Sequence, residues 1–144
     1  MKTEVGFWDT SAILLLCLQQ LGSDASRRYS RRFPRKVMWW GTPVEIESAL
    51  DRLHRNQKID DHGLQQARRT WHLLRRSIVE VQPRERVRAV AEGIPRSYGL
   101  RAPDSFQLAA ALEWCRERPR HRAFVTFDLH LAEAASRVGF SVYS

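Results

Sequence analysis

Four carboxylates stand at positions in the sequence from which they could act together. Asp9 follows the apolar stretch "VGFW", and Asp128 follows the stretch "AFVTF". Glu45 and Asp104 fall in the first turns of two predicted helices, which begin with "TPVE" and "APDS". Because the carboxyl ends of parallel strands and the helix starts after them meet at one sheet edge, we expect all four acids to lie close together.

Two of these acids have an ordinary structural explanation as well. Aspartate is a favoured N-cap, and a predicted helix follows both Asp9 and Asp128. Asp104 is harder to explain in this way, because at helical spacing it shares an apolar face with Leu108, Ala111, Leu112 and Cys115. A stray surface acid would not lie on that stripe, so we interpret Asp104 as a functional carboxylate.

Glu45 has both a structural explanation and a rival. Thr42 to Glu45 match a capping box, with Thr42 as N-cap, Pro43 at the first helical position and the glutamate bonding back to the N-cap amide. Glu47 flanks the same apolar stripe, but two residues in a helix point about 200° apart, so one helix cannot direct both acids at one ion. We favour Glu45, which is nearer the sheet edge, and the alternative of Glu47 stays open.

Carboxylates that converge without cations repel one another, and their pKa values rise. A hard divalent cation relieves that repulsion, and an oxygen-only donor set suits Mg²⁺ or Mn²⁺. The chain around these acids is basic, with a formal net charge of +8 from 24 lysines and arginines against 16 acids. An acidic metal site in a basic protein indicates phosphodiester cleavage, in which arginines attract the polyanion and the metal ion activates water.

The basic residues concentrate in the segment "RRYSRRFPRK", residues 27–36, which we expect to be a flexible loop. Its charges alternate with Tyr29 and Phe33, a mixture that suits contact with nucleic acid or with an acidic partner protein. The predicted contacts to the nucleic-acid backbone are Arg31, Arg32, Arg35 and Lys36. For a single arginine elsewhere in the chain, a merely solvated side chain is an equally good explanation, but that explanation is weaker for this segment.

The elements that must position these residues alternate along the chain. Short apolar strands at "VGFW", "KVMWW", "SIVEV", "HRAFVTF" and "FSVYS" are separated by helices, the first over about residues 11–21. Residues 84–98 form one helix, or two broken near Pro95. This pattern is typical of an α/β protein with a parallel sheet covered on both faces, and 144 residues without a linker predict a single domain, residues 1–144.

The sequence also indicates the cellular compartment of the protein. Cys17 and Cys115 lie in helical apolar patterns, so we expect buried free thiols in a reducing compartment. The longest apolar run, residues 12–18, is too short to cross a bilayer, and no export signal is recognisable. We therefore expect a cytoplasmic protein with no membrane contact.

The motifs "WDTSAIL", "TPVEIESAL", "LRAPDSFQLAAAL" and "FVTFDLHLAEAA", in this order and spacing, resemble those of the PIN-domain nucleases. The match is closest to VapC-type toxins of toxin–antitoxin pairs and runs over about residues 5–143. The resemblance implies a three-layer α/β/α sandwich around a five-stranded parallel sheet, and a Mg²⁺- or Mn²⁺-dependent endoribonuclease. It also implies a homodimer and a VapB-like antitoxin whose C-terminal segment blocks the active site.

The same resemblance implies roles for individual residues. The metal ligands and catalytic acids would be Asp9, Glu45, Asp104 and Asp128. Thr10 or Ser11, together with Thr126, would support them. The unusually basic segment at residues 27–36 departs from the family pattern.

Other classes of protein fit the sequence less well. A phosphoacceptor receiver domain needs a lysine late in the chain, and no lysine lies beyond Lys58. A haloacid-dehalogenase-like phosphatase needs a second aspartate two residues after Asp9, where Ser11 stands. A PIN-like RNA-processing nuclease that is not a toxin, and a non-catalytic RNA- or protein-binding module, remain as alternatives.

Overall fold

A computed structural model describes residues 4–144 of the chain. Its sheet has five strands: β1 (Val5–Trp8), β2 (Arg35–Trp39), β3 (Val79–Val81), β4 (Ala123–Val125) and β5 (Ser141–Tyr143). The strand order is β3-β2-β1-β4-β5, and each neighbouring pair is parallel. The expected α/β class and five-stranded parallel sheet are confirmed.

Seven helices cover the two faces of the sheet: α1 (Thr10–Cys17), α2 (Ser23–Arg32), α3 (Thr42–Arg55), α4 (Asp61–Arg75), α5 (Glu85–Tyr98), α6 (Ala102–Trp114) and α7 (Leu129–Val138). Apolar residues of α1, α3 and α4 form one core cluster with the sheet, and those of α5, α6 and α7 form the other. The result is a three-layer α/β/α sandwich. No helix among residues 4–144 is both long enough and apolar enough to cross a membrane.

The strands are apolar on both faces because both faces are covered. In β1, Phe7 belongs to the cluster under α5 and α6, and Trp8 belongs to the cluster under α1 and α3. Phe124 and Val125 divide between the two clusters in the same way. Since successive side chains of a strand point to opposite faces, a doubly covered sheet reads as a continuous apolar run, as the sequence does here.

The sheet reverses its direction of growth between β1 and β4. From β1 the chain adds β2 and β3 on one side, and it later returns to add β4 and β5 on the other. The pairing of β1 with β4 continues past the strands, because the backbone N–H of Asp9 donates to the Val125 carbonyl at 3.1 Å. Such a reversal is where ligands bind in open parallel sheets.

The first helices differ from the sequence-based prediction. Helix α1 ends at Cys17 rather than near residue 21, and most of the expected basic loop is helix α2. The buried residues of α2 are two serines, Ser23 and Ser26, whose hydroxyls donate to the Leu18 and Ala12 carbonyls at 2.8 and 2.7 Å. Because the buried face of this helix consists of small polar residues, the apolar pattern that normally indicates a helix is missing.

Two further expectations are settled by the structure. Residues 84–98 contain one helix, α5, with Pro95 inside it rather than a break. Cys17 and Cys115 are both buried free thiols, as predicted, and burial raises the pKa of Cys17 to about 12. A thiol with so high a pKa stays protonated and is a poor nucleophile or metal ligand.

Candidate active site at the carboxyl edge of the sheet

Asp9 is buried directly after β1, with 3% of its surface exposed. Its Oδ1 accepts hydrogen bonds from the Ser11 hydroxyl at 2.7 Å and from the Ala12 backbone N–H at 3.0 Å. Its Oδ2 accepts from the Thr126 hydroxyl at 2.7 Å. Asp9 is therefore the N-cap of α1, but the cap uses only one of its two oxygens, and the other is held by a residue of the neighbouring strand end.

The pKa of Asp9 is raised from 3.8 to about 7, chiefly by burial and to a smaller extent by the negative charge of Asp128. The hydrogen bonds from Thr126, Ser11 and Ala12 act in the opposite direction but do not offset the loss of hydration. Near neutral pH this carboxyl is thus close to half-protonated when no cation is near it. A positive charge beside Asp9 would favour the ionised form.

Asp128 lies at the corresponding position after β4. Its Oδ1 accepts from the Leu131 backbone N–H at 3.0 Å, which makes Asp128 the N-cap of α7. Its own backbone N–H donates to the Thr126 hydroxyl oxygen at 3.1 Å. Thr126 therefore bridges the two aspartates, since the same hydroxyl donates to Asp9.

Glu45 lies in the first turn of α3, and both oxygens of its carboxylate are bound by side chains from other helices. Oε1 accepts from the Thr10 hydroxyl at 3.1 Å, and Oε2 accepts from the Gln107 side-chain amide at 3.2 Å. Burial raises the pKa of Glu45, and the charge of Asp104 raises it further. Glu45 thus uses its carboxylate in contacts with α1 and α6.

The predicted capping box at the start of α3 is absent. The N-cap is Gly41 rather than Thr42, and no side chain caps the helix. A Cβ atom at position 41 would lie 2.6 Å from Nε1 of Trp39, so only glycine allows the chain to pass this ring. Thr42 is instead fully buried, and its hydroxyl oxygen accepts from the Gln107 amide at 3.0 Å.

Asp104 lies half-buried in the first turn of α6. Burial raises its pKa, and the charge of Asp128 adds to that effect, while Arg101 and His130 act in the opposite direction. Two of the four acids thus act on the others: the charge of Asp128 raises the pKa values of Asp9 and Asp104, and the charge of Asp104 raises that of Glu45.

Glu47, the rival for the second acid, points elsewhere. It pairs with Arg68 of α4 at 3.3 Å, and its side chain is 44% exposed. Only Glu45 of the two contacts residues of the carboxylate site, so the structure separates the two glutamates as the helical geometry predicts.

The hydroxyls expected to support the acids divide between two of them. Ser11 and Thr126 contact Asp9, and the Ser11 oxygen also accepts from the Phe127 backbone N–H at 2.9 Å. Thr10 contacts Glu45.

Gln107 is the site residue that the sequence reasoning missed. Its side chain is 1% exposed and contacts Glu45, Thr10 and Thr42. A signal was available, because Gln107 interrupts the apolar run "FQLAAAL" and lies three residues after Asp104, on the same face of the helix.

The predicted RNA contacts of the basic segment prove to be unlike one another. Arg31 and Arg35 are exposed. In contrast, Nε of Arg32 lies 3.5 Å from Oε2 of Glu4, and the central carbon of its guanidinium lies 4.8 Å from the centre of the Tyr143 ring. Lys36 does not fit the prediction, because it is 7% exposed in β2.

The ammonium group of Lys36 lies 5.0 Å from the centre of the Trp8 ring, and burial lowers its pKa. Alternation in β2 turns this side chain into the core, where it cannot reach the backbone of an RNA strand.

The donor atoms of the carboxylate site can be compared with those that a divalent cation requires. Within residues 4–144, no three Asp, Glu, His or Cys side chains converge closely enough to form a ready-made metal site. The donors are nevertheless all oxygens, and the mutual repulsion of the acids is what a divalent cation relieves. Mg²⁺ commonly keeps several waters and binds through one or two carboxylates, so this donor set fits a hydrated ion.

Comparison with known proteins supports the fold. No protein-family model matches the chain, and no curated protein matches it. Among solved structures, a chain in the structure of VapBC-1 from nontypeable Haemophilus influenzae is similar, with a TM-score of 0.61 and 15% sequence identity. The match covers 96% of this chain and 98% of the other. The two chains therefore share a fold over nearly their whole lengths.

Proposed function

We propose that this protein is a Mg²⁺- or Mn²⁺-dependent endoribonuclease of the VapC type, the toxin of a toxin–antitoxin pair. The observation that carries the proposal is the electrostatic coupling of four carboxylates at the point where the sheet reverses, in a fold shared with a chain of a VapBC structure. An isolated acid at a strand end would be an N-cap and nothing more. Carboxylates that raise one another's pKa values favour a cation nearby, and cleavage of RNA is a reaction that uses one.

The acids that would hold the ion are Asp9, Glu45, Asp104 and Asp128. A bound Mg²⁺ or Mn²⁺ would supply an activated water and would stabilise the charge that develops on the phosphate. The hydroxyls of Ser11 and Thr126 fix the carboxylate of Asp9, and the hydroxyl of Thr10 fixes that of Glu45. Side chains fixed before the substrate arrives lower the cost of reaching the reactive geometry.

The substrate class follows from charge. The chain carries a net charge of +8, and Arg28, Arg31 and Arg35 are exposed with no acidic partner among residues 4–144. Arginines without acidic partners attract phosphates regardless of sequence, so they would hold the RNA backbone without choosing the cleavage site. The proposed RNA contacts are Arg31 and Arg35, with a smaller share from Arg32.

The proposed partners are a VapB-like antitoxin and a second copy of this chain. The antitoxin is proposed because the similar solved structure is that of VapBC-1, and the homodimer comes from the family resemblance alone. Co-purification with the product of a short neighbouring reading frame would support the toxin assignment. A chain that cleaves RNA but has no such neighbour would instead be a PIN-like RNA-processing nuclease.

The proposal is tested by assaying cleavage of single-stranded RNA with Mn²⁺, with Mg²⁺ and with EDTA. We expect cleavage with either metal and none with EDTA. Asp104→Asn, which is nearly isosteric but lacks the charge, should reduce the rate at least about 100-fold, because altering even the outer partners of a metal site costs 10–100-fold. The matched control is Asp51→Asn in α3, whose carboxylate is 58% exposed and pairs with Arg55.

The same proteins should be melted with and without millimolar Mn²⁺. A ligand that binds only the native state at a hundredfold excess over Kd stabilises it by about 2.7 kcal/mol. Wild-type activity in Asp104→Asn, or cleavage that persists in EDTA, would contradict the nuclease assignment. A wild-type protein that binds RNA but has the same melting temperature with Mn²⁺ and with EDTA would be a non-catalytic binding module.

A further inference from the structure

Gln107 contacts two other helices through one side-chain nitrogen. Its Nε2 lies 3.0 Å from the Thr10 hydroxyl oxygen, 3.0 Å from the Thr42 hydroxyl oxygen and 3.2 Å from Oε2 of Glu45. These partners belong to α1 and α3, whereas Gln107 belongs to α6. We infer that Gln107 is a positioning residue, which holds the Glu45 carboxylate in the orientation that binds the divalent cation. This inference rests on the proposed function.

The orientation of the amide follows from the chemistry of its partner. An ionised carboxylate can only accept hydrogen bonds, so the nitrogen of Gln107 must face Glu45. The Thr10 hydroxyl donates to Oε1 of Glu45, which leaves its oxygen free to accept from Gln107. The amide nitrogen has two protons for its three acceptors, so at least one N–H is shared between two of them. Through these contacts Gln107 reaches both carboxylate oxygens of Glu45, Oε2 directly and Oε1 through Thr10.

The other end of the amide has no partner. The Gln107 carbonyl oxygen is buried and accepts no hydrogen bond from residues 4–144. A buried acceptor without a donor destabilises the native state, so this carbonyl works against stability. The carbonyl oxygen of Gln107 therefore lowers stability, whereas its amide nitrogen contacts Glu45. A substitution can separate these two effects.

The test variant is Gln107→Met, which keeps an unbranched side chain of similar length and removes both the donor and the unpartnered carbonyl. Outer partners of metal ligands typically contribute 10–100-fold to affinity. We expect the Kd for Mn²⁺, measured by calorimetry on the full chain, to rise about 10- to 100-fold. The melting temperature of the metal-free protein should fall only slightly, because removal of the unpartnered carbonyl partly offsets the loss of the amide donor to Thr10, Thr42 and Glu45.

The matched control is Thr42→Val, which removes a hydrogen-bond partner of Gln107 that does not touch Glu45. We expect Thr42→Val to lower the metal-free melting temperature and to leave the Kd for Mn²⁺ within about twofold of wild type. A purely structural role for Gln107 predicts that both variants lower the melting temperature and that neither changes the Mn²⁺ affinity. That result would overturn the inference.

A second variant covers a failure of Gln107→Met to fold. Gln107→Asn keeps an amide at this position, but its side chain is one carbon–carbon bond shorter, so the nitrogen lies further from Glu45. We therefore expect a partial loss of Mn²⁺ affinity. An unchanged affinity in this variant would contradict the positioning role. If wild type binds Mn²⁺ and Gln107→Met binds it equally, the inference alone fails. If wild type binds no Mn²⁺, the proposed function fails.

Discussion

The acids at the sheet edge and the arginines of residues 27–36 are opposite in charge and also in how they are held. Asp9 is 3% exposed and accepts three hydrogen bonds, and both oxygens of Glu45 are occupied by side chains of other helices. Arg31 and Arg35 are exposed on the surface with no acidic partner among the residues described. One region fixes its charges, and the other presents them to solvent.

This difference indicates what each region can do. Bond cleavage requires groups that are held within a narrow range of positions. Of the two regions, only the acids are held in this way, by hydrogen bonds from neighbouring side chains and backbone. Attraction of a polyanion requires charge but little geometry, since screened Coulomb forces act over about 10 Å at 0.1 M salt. Substitution of one acid should therefore have a large effect, whereas substitution of one arginine should have a small one.

The largest effect should come from Asp9→Asn in metal-free protein. The pKa of Asp9 is raised from 3.8 to about 7, so the native state keeps a proton that the unfolded chain has released over this interval. Wild-type stability therefore falls as pH rises from about 4 to 7, by up to about 4 kcal/mol at 1.36 kcal/mol per pH unit. Asparagine has no such proton, so the stability of the variant relative to wild type should rise by about 3 kcal/mol between pH 5 and pH 8.

Urea unfolding in EDTA at the two pH values measures this effect. Asp51→Asn, at a surface-exposed acid, should show the same difference from wild type at both pH values. Saturating Mn²⁺ should restore the stability of wild type at pH 8 and should do so less for Asp9→Asn. A difference between Asp9→Asn and wild type that does not vary with pH would show that Asp9 is already ionised in the native state.

The next largest effect should come from a substitution of Glu45, which is held by hydrogen bonds, in contrast to the exposed Glu47 on the same helix. Glu45→Gln should reduce RNA cleavage at least about 100-fold, because glutamine can still accept from Thr10 but has lost the charge. Glu47→Gln should stay within about twofold of wild type, because its surface pair with Arg68 contributes little. Parallel cleavage assays and melting curves compare the two variants. If Glu47→Gln is the inactive one, Glu45 is not the second acid.

The smallest effect concerns the arginines. The double variant Arg31→Gln with Arg35→Gln should weaken RNA binding and reduce the salt dependence of binding, by about 0.7 in slope per arginine on single-stranded RNA. The cleavage site should not change. Arg32→Gln is the matched control from the same segment and should change the slope less, because Arg32 is already engaged with Glu4 and Tyr143.

Titration of a labelled RNA at several salt concentrations, with Asp104→Asn to prevent cleavage, measures these slopes. An unchanged slope in the double variant would remove Arg31 and Arg35 from the RNA-binding surface. Loss of antitoxin binding in the same variant would assign them to the partner interface instead.

The location of the acids could be predicted because it depends on a general property of parallel sheets. Once "VGFW" and "AFVTF" are identified as buried strands, Asp9 and Asp128 must lie at the same edge. The helical phase of Glu45 against Glu47 is equally local, and the structure agrees with it. Each of these conclusions needed only the type and order of the elements.

The rest depends on contacts between residues far apart in the sequence. The capping box was wrong because the carboxylate of Glu45 is bound by Thr10 and Gln107, which lie 35 and 62 positions away. Helix α2 was missed because two buried serines replace the apolar residues of an ordinary helix. In each case a polar group is satisfied by tertiary structure, which local patterns do not report.

The hydrogen bond between Asp9 and Thr126 also has a consequence for synthesis. The two residues are 117 positions apart, and the strands they follow, β1 and β4, pair directly at the centre of the sheet. At a translation rate of 5–20 residues per second, on the order of 10 s separates their appearance. A nascent chain therefore carries Asp9 without its partner for this interval, so the site is completed only after β4 and Thr126 have been synthesised.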